Sequence, residues 1–108
     1  MDEKLIHILM EAKESQDADE KEFFADMMKM ALKYTTTRFN WNLMTIEEKD
    51  ADDKSRSIIH NRFMDTMNIL MRYRQSMEKS YIDFSDLERK TYGDMANEIV
   101  CYFAKLQR

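Results

Sequence analysis

Proline is absent from the 108 residues of this chain, and glycine occurs once, at position 93. Proline removes a backbone donor and clashes inside a helix, and glycine loosens one, so few helix stops are enforced. Tight two-residue hairpin turns need glycine at positive φ, and Gly93 alone cannot furnish a sheet with them. Cysteine also occurs once, as Cys101, which excludes an internal disulfide and points to a reducing cytoplasm. No apolar run approaches a membrane span. Asp2 and Glu3 precede the apolar Leu5, Ile6, Ile8 and Leu9, and no small-residue cleavage site follows, so no signal peptide is expected. The expected fold is all-α: a single domain over residues 1–108, folded as an antiparallel bundle of about four helices.

Motifs that carry chemistry are equally scarce. The only histidines are His7 and His60, neither with a histidine or cysteine four residues on, and there is no Cys-x-x-Cys. Ser57 precedes His60 by three residues, but a chain this poor in glycine offers no sharp turn to build an oxyanion hole. No glycine-rich phosphate loop is present. No catalytic residue, metal or cofactor is expected, and the chain does not read as an enzyme.

Charge and apolar periodicity fill the sequence instead. Charged residues make up 35% and hydrophobic residues 44%, a balance that fits a soluble globular protein. The net charge of −4 hides an asymmetry. Residues 1–53 carry 14 acidic and 7 basic side chains, whereas residues 54–108 carry 7 acidic and 10 basic. Six of the seven arginines (Arg56, Arg62, Arg72, Arg74, Arg89, Arg108) lie in the second half. An acidic face meeting a basic partner is one reading, and plain solvation is the other. Direct binding to nucleic acid is disfavoured, because an acidic chain repels phosphate.

Periodicity places four helices. The first covers about Asp2 to Glu14, with Leu5, Ile8, Leu9 and Ala12 inward. The second carries a seam of Phe23, Met27, Met30, Tyr34, Thr37 and Trp41 and ends near Leu43-Met44, with a bend expected at Thr35-Thr36-Thr37. Thr45-Ile46-Glu47-Glu48 has capping-box spacing and opens a new turn. The charged run Glu47 to Lys54 leads from it into a third helix, about Asp53 to Lys79, with a seam of Ile59, Phe63, Thr66, Leu70, Tyr73 and Met77. Ser85-Asp86-Leu87-Glu88 repeats the capping-box spacing, so the fourth helix is expected to open there. Its inner face is Leu87, Tyr92, Met95, Ala96, Ile99, Phe103 and Leu106. Gly93 either admits a close neighbour or breaks this helix before Asp94. Eleven methionines, many on the second and third seams, read as an adaptable core or as a pliable binding groove.

Arg56-Ser57-Ile58-Ile59-His60-Asn61 puts a guanidinium and an imidazole one turn apart. It resembles the Arg-x4-6-His motif of the higher eukaryote and prokaryote nucleotide-binding (HEPN) ribonucleases, also small helical bundles. That resemblance implies acid–base cleavage of RNA across a dimer. Here the spacing is three residues, shorter than the family's. The alternative is that Arg56, His60 and Asn61 form a structural, hydrogen-bonded polar cluster, and that reading is preferred.

A wider pattern covers about Arg38 to Asp94: Trp41, Met44, Glu47-Glu48-Lys49, Arg56-x-x-x-His60-Asn61-x-Phe63, Arg72-Tyr73, Arg89-Lys90 and Gly93-Asp94. It resembles a small uncharacterised family from Gram-positive bacteria and their plasmids and phages, and chains of this size, acidity and origin include anti-CRISPR proteins that block type II nucleases. The resemblance implies an interaction protein that occupies a basic, nucleic-acid-handling nuclease. It brings no agreed functional motif, so it assigns no site residue. The candidate partner-binding residues follow from charge alone: Glu47, Glu48, Asp50, Asp52 and Asp53, with Asp17, Asp19, Glu20, Glu22 and Asp26 as a second cluster. Guide RNA, met through the arginine-rich second half, and a second copy of the chain stay open as partners, as does a regulatory or structural dimer module.

Overall fold

The computed structural model describes residues 2–106, without the side chains of Arg89 and Lys90. Of the second-half arginines, Arg108 and the Arg89 side chain therefore lie outside the described residues. Among the described residues there are four helices and no strand: α1 (Glu3–Lys13), α2 (Ala18–Asn42), α3 (Ile46–Ser76) and α4 (Arg89–Leu106). Helix accounts for 81% of the structure. At about 1.5 Å per residue, α3 spans roughly 46 Å, which sets the 47 Å long axis of the molecule.

Local chemistry starts each of the first three helices. Asp2 caps α1 through a 2.7 Å bond from the Lys4 amide. Asp17 caps α2, accepting from Asp19 N at 2.9 Å and Glu20 N at 3.4 Å. The Thr45–Glu48 capping box forms as the spacing predicts, with reciprocal bonds of 3.0 and 3.2 Å. The turn it opens runs unbroken into α3, so the charged lead-in and the third helix are one element. α2 is likewise helical throughout Thr35–Thr37. The second capping box does not form. Ser85–Glu88 belongs to the connection, where the Asp83 carboxylate takes the Ser85 amide at 2.9 Å and Leu87 N closes a turn onto Phe84 O at 3.0 Å. The α4 helix begins only at Arg89.

α2 is the central element, packing on each of the other three helices. Its contacts with α3 run in opposite directions along the two chains: Phe23 meets Tyr73 and Tyr34 meets His60, while Trp41 meets Arg56. Against α4, Phe24 meets Phe103 and Arg38 meets Asp94. Both pairs are therefore antiparallel. The core is built from Leu5, Ile8, Leu9 and Ala12 of α1, Met27 and Ala31 of α2, Phe63, Met67 and Leu70 of α3, and Tyr92, Ala96 and Ile99 of α4. Burying each large apolar side chain contributes about 1.5–3 kcal/mol. Met27, Met67 and Met71 lie inside, which makes the methionine stripe core rather than an open groove.

The inward stripes are displaced from the expected seams, and polar residues occupy the displaced places. α2 buries Glu20, Phe24, Met27, Ala31 and Tyr34, leaving Phe23 and Met30 at the edge. α3 buries His60, Phe63, Met67, Leu70, Met71 and Arg74, while Met77 is 49% exposed. Leu106, expected on the inner face of α4, is 46% exposed.

Arg74 and Glu20 are both fully buried and bonded to each other. Arg74 also donates from Nη2 to Glu11 Oε2 at 2.5 Å and from Nε to the Ser80 carbonyl at 2.7 Å. Lys79 Nζ reaches the second Glu20 oxygen at 2.6 Å. The knot joins α1, α2, α3 and the α3–α4 connection. The chain turns back to it through a Schellman cap: Lys79 N bonds Arg74 O at 2.9 Å and Glu78 N bonds Gln75 O at 3.1 Å. This cap holds Glu78 at φ 58, in the left-handed region that favours glycine. Next to it the Tyr73 hydroxyl donates to the Asp17 carboxylate, tying the end of α3 to the cap of α2.

Stability should respond to three changes. Arg74→Ala leaves the buried Glu20 carboxylate with Lys79 as its one cation and should cost about 3–5 kcal/mol in chemical denaturation. Glu78→Gly relieves the left-handed backbone and should gain about 0.5–1 kcal/mol, net of the freedom that glycine adds to the unfolded chain. The third variable is pH. Asp17 is held below the ordinary carboxylate range by the Tyr73 hydroxyl. For Glu20, burial acts upward but is outweighed by hydrogen bonds from Lys79, Ser15 and Arg74, so it too is lowered. Groups with depressed values stabilise the fold above the ordinary range, and that contribution disappears as pH falls through the lowered values. Tyr73 is pushed the other way, from 10.0 to about 12, chiefly by the Asp17 carboxylate. Its contribution is complete below pH 10 and is lost as pH rises towards about 12. Denaturation midpoints measured against pH should therefore fall at both extremes, and Tyr73→Phe should remove this part of the alkaline loss.

Candidate functional site

The other end of the α2–α3 hairpin carries most of the residues singled out in the sequence. Thr35, Arg38 and Trp41 come from the last turns of α2, Arg56 from α3, and Asp94 and Asn97 from α4. Together with Phe39 and Asn42 they line a cleft of about 420 Å³.

Each arginine is seated by a specific neighbour. The Arg56 guanidinium lies 4.4 Å from the centre of the Trp41 ring, a cation–π contact, and 3.5 Å from Asp53. Lys49 approaches the same indole at 5.9 Å. Arg38 lies over the Tyr34 ring at 5.9 Å and pairs with Asp94 at 3.5 Å. Gly93 sits in an unbroken α4 with no positive φ. What it provides is room, since a Cβ there would come within 2.6 Å of Arg38 Nη1. Of the two roles expected for this glycine, close approach is the one realised. Two buried polar atoms at the cleft, Thr35 Oγ1 and Arg56 Nε, have no hydrogen-bond partner among the described residues.

Arg56, His60 and Asn61 do not form the expected common network. Arg56 turns to Trp41 and Asp53, and Asn61 is exposed. His60 is 2% exposed, its Nδ1 lying 2.6 Å from the Tyr34 hydroxyl among Tyr34 and Tyr92 rings. The physical reason is position along the axis: Arg56 and His60 share a face of α3 but stand about 6 Å apart along it, so α2 meets one with Trp41 and the other with Tyr34, while Asn61 lies about 100° round the helix. His60 is buried, and its hydrogen-bond partner is an aromatic hydroxyl on another helix rather than Arg56 or Asn61.

The five carboxylates of the acidic run do not form one patch. Asp50 and Asp53 are exposed on the side of α3 that also carries Ile46, at steps of four and three, with Glu47 exposed beside them. Glu48 folds back onto Thr45, whose amide and hydroxyl hold its carboxyl below the usual range. Asp52 is half-buried and Asp53 pairs with Arg56. In the second cluster, Glu20 is part of the buried knot and Asp17 caps α2, which removes both from any contact surface. Asp19, Glu22 and Asp26 are exposed.

Reading the sequence missed Phe39, Leu43 and Ile46, which are 65%, 72% and 77% exposed around the α2–α3 turn. Their signal was visible: large apolar residues out of phase with the Tyr34–Trp41 stripe. It also missed the partnership of Arg38 with the lone glycine, which no spacing rule links across so much chain.

Among the described residues no helix is long and apolar enough to cross a membrane, and no group of three or more His, Cys, Asp or Glu side chains could hold a metal ion. Compared with protein-family models, curated proteins and solved structures, the chain matches none. Its site has to be read from its own chemistry.

Tyr34→Phe deletes one partner of the buried His60 bond and should lower stability by about 1–3 kcal/mol in thermal or chemical melts. A loss well below that would mean the contact adds little beyond packing.

Proposed function

We propose that this chain is a small, non-catalytic helical interaction protein that docks on a basic, nucleic-acid-handling enzyme. The observation that carries the reading is the composition of the α2–α3 corner. Three large apolar side chains, Phe39, Leu43 and Ile46, stand in solvent there, flanked by the exposed carboxylates of Glu47, Asp50 and Asp53. An apolar centre with a charged rim is the anatomy of a protein interface, and exposed aromatic and aliphatic groups at its centre supply most of the affinity. The carboxylates select a basic surface and speed encounter with it.

Nucleases that hold a guide RNA and its target carry such surfaces in their channels and at the arginines that read the protospacer-adjacent motif. A type II CRISPR nuclease is the partner that the sequence resemblance favours, and inhibition by occupying its basic channel is the mechanism we infer. The ribonuclease alternative has less in its favour. His60 is 2% exposed inside the bundle, where no RNA ribose could reach it without unfolding.

The test is target-DNA cleavage by a panel of type II nucleases with and without the protein, alongside size-exclusion binding. Inhibition is expected for at least one enzyme. It should weaken as salt rises, because screening shortens to roughly 8 Å at physiological ionic strength and less above it. The triple variant Phe39→Ala, Leu43→Ala, Ile46→Ala should lose inhibition while melting close to wild type, since exposed positions contribute little to stability. Neutralising Glu47 and Asp50 to Gln and Asn should slow association more than it speeds dissociation. Undiminished cleavage across the panel, with no complex formed, would overturn the reading.

A further inference from the structure

We propose that the cleft between Arg38 and Arg56 is a binding site for a phosphate group. The two guanidinium groups come from different helices and line the same space of about 420 Å³. Each is held in place but not saturated. The carboxylates of Asp94 and Asp53 stand 3.5 Å away, longer than the roughly 2.7–2.9 Å of a charge-assisted hydrogen bond. Both carboxylates are 61% exposed, on the rim, where they can turn outward as an anion enters.

Two of the residues that line this cleft carry a buried donor without a partner. Thr35 Oγ1 and Arg56 Nε are buried and unpartnered among the described residues. Buried polar atoms in folded proteins are paired in about nine cases of ten or more. Two such exceptions fall on residues lining one cleft, and an entering anion would have to turn them towards it. Both are donors able to meet an oxyanion: the guanidinium N–H always, the threonine hydroxyl by rotation.

The chain also accepts a cost to keep the cleft in this form. Glycine in a helix interior is less stable than alanine by about 1 kcal/mol. The single glycine of the sequence stands in α4 where an added Cβ would come within 2.6 Å of Arg38 Nη1, and the guanidinium would have to move aside. Trp41, stacked at 4.4 Å, likewise fixes the plane of Arg56. A planar carboxylate would satisfy one guanidinium fork. A tetrahedral phosphate presents oxygens in several directions and can meet donors from α2 and α3 at once. The volume lies near the lower end of the roughly 300–1,000 Å³ of small-molecule sites, which accommodates inorganic phosphate or a small phosphate monoester.

The only tryptophan of the chain stands in the cleft, so its emission reports occupancy directly. The full chain is titrated with sodium phosphate and, separately, with adenosine monophosphate, against sodium chloride at matched ionic strength. A saturable change in Trp41 emission is expected for phosphate or for the nucleotide, with none in chloride. Equal response to both means that the free ion suffices, and response to the nucleotide alone means that the phosphate is recognised as an ester. Arg38→Gln, which leaves the Arg56–Trp41 stack in place, should weaken binding about tenfold or more, the loss of one charged hydrogen-bonding group. Gly93→Ala should weaken it in the same direction by displacing Arg38 without removing charge. If Gly93→Ala fails to fold, Arg38→Gln and Arg56→Gln, followed by calorimetry, carry the comparison. No saturable response to either ligand, or wild-type affinity in both arginine variants, would overturn the site. No partner protein enters this experiment, so its outcome is separate from that of the inhibition assay.

Discussion

The arrangement of this bundle depends on one buried guanidinium. Arg74 has no exposure to solvent, and removing a cation from water costs several kcal/mol unless its donors are met. They are met by Glu20, Glu11 and Ser80, which belong to three different parts of the chain. The charge can be buried only if α1, α2 and the connection after α3 arrive together. That condition fixes the register of α2 against α3 more narrowly than apolar packing does, because methionine-rich surfaces tolerate sliding. It also accounts for the backbone at Glu78. The chain takes a left-handed residue there so that Lys79 and Ser80 return to the knot.

The two ends of the α2–α3 hairpin use the same residue type in opposite ways. At the knot, an arginine is enclosed and its hydrogen bonds are short. At the cleft, Arg38 and Arg56 lie about one-third exposed, with carboxylates held at 3.5 Å and aromatic rings supplying position rather than neutralisation. The first arrangement gives specificity of fold, and the second leaves donors that a ligand can use. Between them Tyr34, His60, Phe63 and Tyr92 pack their rings together in the middle of the bundle. The exposed apolar residues of the α2–α3 corner begin where this core ends. The exposed apolar corner and the cleft are thus neighbours, and they share Phe39.

The stripes on α2 and α3 show where pattern reading loses accuracy. Helical spacing points Phe23, Met30 and Tyr73 inward, yet they sit at the edge. Glu20, His60 and Arg74 sit inside. A helix seam is chosen by what the opposing helix offers, and an acid on α2 facing an arginine on α3 outranks a methionine at the same position. Ser85–Glu88 shows a related failure. Capping-box spacing is necessary for that motif but not sufficient, and the Asp83 carboxylate had already bonded the Ser85 amide, leaving a turn instead of a helix start.

Composition and periodicity alone determined that this chain is an all-α bundle, that Asp2 and Thr45 stand where helices begin, and which face of α1 is buried. These features are local: a cap, a stripe or an absent proline acts within a turn or two of itself. The pairing of Arg74 with Glu20, the burial of His60 against Tyr34, and the meeting of Arg38 with Gly93 join residues far apart in sequence. No spacing encodes them, because each exists only when two helices have already packed. The candidate cleft is of this second kind: its arginines, its glycine and its unpaired polar atoms become one site only through tertiary structure.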